Sequence, residues 1–266
     1  MRYCRRQYKT MKKNRTKFIL KLLSWIILIA IIILWQVAGE KSWINPTVMS
    51  QPAKIWAKFI QMLGDGSLFK HIFASIVRVL KGFVYGAGLG LILGLVIGLS
   101  EKFETVANLF VGILRPIPPI AWIPLLILAL GIGEESKVTV IAIGSFWPML
   151  LDTINGVKST NKQLLELGRT LEKSRRTVIL KLILPSAVPA IFTGARQAIS
   201  RAWSCVVTAE MIAASVGVGF LIQYARELSQ PALLFVGVAA IGLIGLLIDW
   251  IMMRLEKRLL YWNQIK

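Results

Sequence analysis

Two cysteines and one histidine are all that this 266-residue chain offers for disulfide, thiol or metal chemistry. Cys4 lies in a basic stretch and Cys205 in an apolar run, so no disulfide framework is expected. His71 has neither a cysteine nor a second histidine beside it, and a metal site needs three or four donors. It reads as an interfacial side chain. The chain also lacks a Gly/Ser linker, a low-complexity tract and an internal repeat, which leaves one domain. The period-2 alternation of a membrane barrel is missing. So is a phosphate loop: the nearest fragment, Gly156-Val157-Lys158-Ser159-Thr160, has neither the G-x-x-x-x-G-K-[ST] spacing nor a preceding strand. Ser, His and Asp do not assemble into a hydrolytic set, and the apolar runs carry no acidic chain suited to an ion relay.

What the chain has instead is apolar sequence. Hydrophobic residues make up 56% of it, with a mean hydropathy of +0.66. Several runs approach the roughly 20 residues needed to cross a bilayer. Inside lipid each backbone group must be paired within its own segment, so the class is an all-α polytopic membrane protein. Six transmembrane helices are expected, at 18–39, 76–99, 106–130, 138–154, 187–214 and 233–253. The first run is too long for a signal peptide and lacks a convincing cleavage site. The organisation is then a basic tail (1–17), the first span (18–39), an outer segment (40–74), a five-helix core (75–255) with a polar loop at 158–185, and a second tail (256–266). Within the outer segment, after a turn at Pro46, Ile55, Phe59 and Met62 share one side of an amphipathic helix expected to lie on the outer membrane surface.

The basic excess follows the spans. Lys and Arg number 32 against 13 Asp and Glu, for a formal net charge of +19. Segments 1–21, 100–105, 158–181 and 254–266 hold 21 of them, against eight in the outer segments. By the positive-inside rule both termini and the polar loop are cytoplasmic. Arg78 and Lys81 fit that rule poorly. The basic residues flank spans rather than form one stripe, which argues against nucleic acid and for anionic lipid head groups.

Inside the spans three features stand out. Gly82, Gly86, Gly90, Gly94 and Gly98 recur every four residues, a helix face that permits very close approach. Pro116, Pro118, Pro119 and Pro124 remove N–H groups from the third span. Irregular backbone at membrane depth is tolerated where it lines a cavity, so 115–124 is a candidate for the translocation path, a simple kink being the alternative. Arg115, Arg196, Arg201, Glu210 and Asp249 place charge in the spans at about 2.5–3.5 kcal/mol each. Arg115 or Arg201 could give an anionic solute a positive surface; alternatively Arg196 or Arg201 pairs with Glu210 or Asp249. Pro118, Trp122, Trp203 and Ser204 are further candidates for the pathway.

The polar loop is the most unusual stretch. Thr160-Asn161-Lys162-Gln163 has the spacing of a capping box opening a helix. Leu164, Leu167, Leu171 and Val178 then follow at helical intervals on an otherwise charged element, the pattern of a docking helix or of a surface helix on lipid. Glu166, Leu167 and Gly168, then Leu182, Leu184 and Pro185, resemble the "EAA" loop of ATP-binding-cassette (ABC) importer permeases, E-A-A, three residues, G, nine residues, I-x-L-P. Leu167 and Gly168 stand for the alanines and Leu182 for the isoleucine. Glu172 stands where the pattern has glycine. Glutamate does not readily supply a left-handed turn, so the bend is expected to shift to Lys173 and Ser174 or to become shallower.

The resemblance covers roughly residues 45–255. Leu114 through Leu125, Gly131-Ile132-Gly133-Glu134, Asn45-Pro46-Thr47, Ser75 through Val79, and Trp203 with Ala209 through Ala213 look like the permease branch for nitrate, sulfonates and taurine. It implies a type I ABC importer permease fold in the bacterial cytoplasmic (inner) membrane. It also implies a homodimer of permeases forming the pore, two cytosolic ABC ATPase subunits that carry ATP and Mg, and an extracytoplasmic solute-binding protein. The solute is small and anionic or zwitterionic. This chain binds no cofactor or metal and is not itself an enzyme. The coupling element is then Leu164, Glu166, Leu167, Gly168, Leu171, Glu172, Leu184 and Pro185. The alternative function is a secondary transporter or channel whose loop grips an unrelated partner.

Overall fold

The computed structural model describes residues 2–261; Met1 and residues 262–266, the end of the second basic tail, lie outside the described residues. So do the side chains of 1–19, Cys4 among them, and those of Lys21, Lys162 and Arg169. Every regular element described is helical. Helix α1 (Arg2–Glu40) leads to α2 (Pro52–Gly64) and α3 (Ser67–Gly98). Helix α4 (Glu101–Leu114), a 3-10 turn (Pro119–Trp122) and α5 (Ile123–Leu130) precede α6 (Glu134–Lys158). Two short helices follow, α7 (Lys162–Thr170) and α8 (Arg175–Val178), then α9 (Leu184–Ala213), α10 (Val218–Glu227) and α11 (Pro231–Leu259).

Five helical stretches are long and apolar enough to cross a membrane, or six when the bent pair of α4 with the 3-10 turn and α5 is counted as one span. The two halves meet at 82°. The cause is local. Pro116, Pro118 and Pro119 remove three donors, and each proline pushes the residue before it towards extended backbone; Pro118 sits at φ −61°, ψ 141°. Helix α4, at 14 residues, is about 21 Å long and cannot cross a hydrocarbon core of about 30 Å alone.

The core is a three-helix sandwich with α6 in the middle. The glycine face of α3 lies on α6: a Cβ at Gly90 would stand 2.7 Å from the Phe146 carbonyl, at Gly94 2.7 Å from Thr153 Cβ, and at Gly98 2.9 Å from Val157 Cβ. Gly86 abuts the Ala142 carbonyl and Ser145 Oγ, and Gly82 abuts Ile141. Backbone-on-backbone packing of this kind is what small residues allow in lipid, where apolar bulk alone gives helices no reason to associate. The other side of α6 meets α9 in the same way, Gly156 against Ala187 and Ala190, and Gly194 of α9 against Asp152.

A second layer joins α2, α10 and α11. Met62, Leu68, Val218, Leu221, Ala225, Leu233, Val236 and Ala240 are buried together, with Ile55 and Phe59 packed against them. The α2 stripe expected to face lipid thus faces protein. Helix α2 packs mainly on α11, and α10 joins the same cluster; at ten residues α10 is too short to stand out as a span in the sequence.

Candidate functional site

Helix α7 presents its leucines to solvent: Leu164, Leu167 and Leu171 are 39%, 54% and 57% exposed, and Glu166 is exposed beside them. Its start is capped by Asn161, whose Oδ1 accepts from the Gln163 N–H at 2.9 Å. Thr160 is not the cap; its hydroxyl donates to the Val157 carbonyl and finishes α6. The end of α7 falls on Glu172, at φ +50°, with the Lys173 N–H bonded to the Gly168 carbonyl at 3.1 Å. This is a Schellman closure with glutamate in the left-handed position that glycine usually takes. The bend therefore sits on Glu172 and is not displaced, because the hydrogen bond it completes outweighs the strain at one residue. Ser174 then caps α8, its Oγ accepting from the Thr177 N–H.

From α8 the chain continues through a π-helical turn (Ile179–Ile183) into α9, with Leu184 and Pro185 opening the long helix. Gly168 rests on this segment: a Cβ there would lie 3.2 Å from Val178 Cγ2 and 3.4 Å from Leu182 Cδ1. Helix α7 is thus seated on the root of α9. Lys158, at the end of α6, pairs with Glu104 on α4 and ties the same end of the bundle together.

A cavity of about 610 Å³ opens between the α4–α5 break, α6 and α9. Arg115, Ile117, Pro118 and Pro119 come from the break; Gly144, Trp147, Pro148, Leu151, Asp152 and Asn155 from α6; Gln197 and Arg201 from α9. Pro148 has no N–H for the Gly144 carbonyl, so one backbone acceptor in this wall lacks its helical donor. Asp152 accepts from Gln197 Nε2 at 2.8 Å. Arg115 and Arg201 form no ion pair among the described residues.

Of the other pathway candidates, Trp122 lies in the 3-10 turn, and Ser204 is exposed with its hydroxyl donating to Ser200. Trp203 is buried on the far side of α9, its indole N–H bonded to the Ile241 carbonyl at 3.1 Å. Glu210 is 1% exposed, and its partner is neither Arg196 nor Arg201. Both its oxygens accept from Ser75 Oγ at 2.8 Å, Oε1 also from Arg78 Nη1 at 2.8 Å, and Oε2 from the Gly219 N–H at 2.9 Å. Arg78 also grips Glu134 through Nε and Nη2, and Lys137 adds a third contact to that carboxylate. The hydroxyl of Ser75 accepts from the Val218 N–H, and Gly217 leaves no room for a side chain above Glu210. This network ties α3, α6, α9 and α10 into one unit. Arg196 pairs with Asp249 at 2.7 Å and reaches Glu256 at 3.4 Å.

Residues 86–261 match the model of a family described as "Binding-protein-dependent transport system inner membrane component". The chain belongs to this family. It is 38% identical to a Bacillus subtilis chain whose provisional description is aliphatic sulfonates transport permease protein SsuC, over 88% of this chain and 84% of that one. With the taurine transport system permease protein TauC of Escherichia coli it shares 31% identity over 89% and 88%, and with the nitrate import permease protein NrtB of Synechocystis 33% over 90% of each. Among solved structures, an amino acid ABC transporter superposes with a TM-score of 0.62 at 15% identity, covering 75% of this chain and 98% of that one. The inward-facing methionine transporter MetNI gives 0.55 at 18%, covering 74% and 95%. The fold is that of an ABC importer permease, and this family member carries the apolar helices of an inner-membrane component.

Proposed function

We propose that the chain is the pore-forming subunit of an ATP-driven importer, working as a homodimer, with α7 as the element that receives force from a cytosolic ATPase. The observation that carries this reading is the exposed leucine stripe of α7 seated on the root of α9. A helix that shows Leu164, Leu167 and Leu171 to water needs a partner groove, and helix-in-groove docking takes apolar residues at this spacing. Displacement of α7 reaches α9 through Gly168, Val178 and Leu182, and α9 supplies Gln197 and Arg201 to the cavity. Closure of two ATPases, which use ATP and magnesium, would move α7 and with it the walls of the path. The excess of Lys and Arg in the termini and the α7 loop supports a cytoplasmic side for those segments in a bacterial cell, with an external binding protein delivering the solute on the opposite side. The relatives' sulfonates, taurine and nitrate make a small anionic or zwitterionic solute the best-supported class.

The test is Glu166→Lys in the complex reconstituted with its ATPase and binding protein. The variant should insert normally yet lose ATPase association or lose uptake while ATP is still hydrolysed. Normal ATP-driven uptake by the variant would sink the assignment of α7, and solute flux by the chain alone, driven by an ion gradient, would sink the importer reading.

A further inference from the structure

Helix α3, the α4–α5 break and helix α9 carry four arginines between them, and these divide two and two. Arg78 holds Glu210 and Glu134; Arg196 holds Asp249 and Glu256. Arg115 and Arg201 have no ion pair among the described residues, and both line the same cavity. An unpaired charge inside a membrane is kept only where water or a ligand reaches it. The cavity has one carboxylate, Asp152, hydrogen-bonded by the Gln197 amide, against two guanidinium groups, which leaves a positive balance for a visitor. Part of the wall is apolar, supplied by Ile117, Pro118, Pro119 and Trp147.

We propose that Arg115 and Arg201 form a mid-span station for a small organic oxyanion, the head group at the two guanidinium groups and its carbon skeleton against Pro118, Pro119 and Trp147. The station is the charge filter of the permease proposed above, a selectivity step that this chain adds to that of any delivering protein. Guanidinium groups suit this task because their N–H forks match two oxygens of one sulfonate-like group and stay charged at every physiological pH. Asp152 tempers the positive field so that the anion also leaves, since a station that binds too tightly cannot conduct.

Trp147 in the wall provides a readout that needs neither the natural solute nor ATP. The permease–ATPase complex is placed in nanodiscs of phosphatidylcholine only, so that no anionic lipid head group competes. Emission of Trp147, isolated by difference from Trp147→Phe, is quenched with iodide and separately with neutral acrylamide. Arg115→Gln with Arg201→Gln should lower iodide quenching at least about threefold while acrylamide quenching holds, since a cleft of one charge sign concentrates counter-ions by about tenfold or more. The double lysine variant should retain it. In the unmutated complex methanesulfonate should protect Trp147 from iodide, and its neutral isostere methanesulfonamide should not. Equal protection by both compounds, or an iodide response indifferent to the loss of both arginines, overturns the station. The quenching needs neither transport nor ATP hydrolysis, whereas the coupling assignment is read from uptake by Glu166→Lys, so failure of the one and failure of the other are read separately.

Discussion

Arg78 and Arg201 are both arginines on helices suited to a membrane, and they are treated in opposite ways. Arg78 is 9% exposed at its side chain and holds two carboxylates and the Val216 carbonyl; Arg201 is exposed to a cavity with no carboxylate bound to it. Around Arg78 each charged or hydroxyl group is engaged, and the glycine beside the network has no space to spare. Around Arg201 prolines have opened the backbone and left room. A buried charge network resists exchange because losing one member strands the others in low dielectric. An open, unpaired charge is free to bind something that comes and goes. The difference separates the part of the chain that must stay fixed from the part that meets solute.

The strongest way to break this contrast is to remove one member of the closed network. Glu210→Ala leaves Arg78 half-paired and the Ser75 hydroxyl and Gly219 N–H without their acceptor. It should cost about 3–5 kcal/mol, the range for an uncompensated buried charge, and lower the melting temperature of the purified protein sharply. A double-mutant cycle with Arg78→Met should return a coupling of about 1–3 kcal/mol. An additive pair would mean that the contact does not organise this region.

Next in size is the glycine face. Gly86→Val would drive its side chain into the Ala142 carbonyl, rigid backbone that cannot yield, and into Ser145 Oγ. Overpacking of this kind costs about 1–3 kcal/mol or more, whereas Gly88→Val, on the same helix with nothing within 4 Å, should leave the melting temperature nearly unchanged. Equal effects at the two positions would show that α3 and α6 do not approach as closely as the structure has them.

These regions were unequally legible in the sequence. The glycine repeat announces its own face, because a four-residue period is a local property; that its partner is α6 is not local and could not be read. The prolines announce a break, but only the packing of α6 and α9 turns a break into a cavity. The pairing of Ser75, Arg78 and Glu210 joins residues more than 130 positions apart, and Arg78 looked merely like a misplaced outer charge. Helix α10 carried no span signal. In the α7 loop the spacing was readable and the backbone was not: Glu172 at the glycine position suggested a shifted bend, while the closing bond from Lys173 to Gly168 holds the bend in place.

That same glutamate gives a smaller, oppositely signed effect. Left-handed backbone costs an L-residue about 1–2 kcal/mol, so Glu172→Gly should stabilise the α7–α8 turn by about 1 kcal/mol after glycine's extra entropy in the unfolded chain is set against it. Hydrogen exchange at the Lys173 amide should slow by several-fold, with the melting temperature of the whole protein barely altered. Faster exchange would mean that the glutamate side chain contributes more to the turn than its backbone strain subtracts.

The smallest expected change closes the comparison. Arg201→Gln removes a charge as Glu210→Ala does, yet no ion pair is broken and no buried partner is stranded. Its stability should stay within about 0.5 kcal/mol of the unaltered protein, as for a substitution that touches no packed or paired group. Relief of an exposed charge at membrane depth pushes the sign towards stabilisation. A thermal melt of Arg201→Gln beside Glu210→Ala in the same nanodiscs therefore measures the difference between a charge kept for the fold and a charge kept for a visitor. A large loss at Arg201 would place it in a structural pair after all and remove the ground for a solute station.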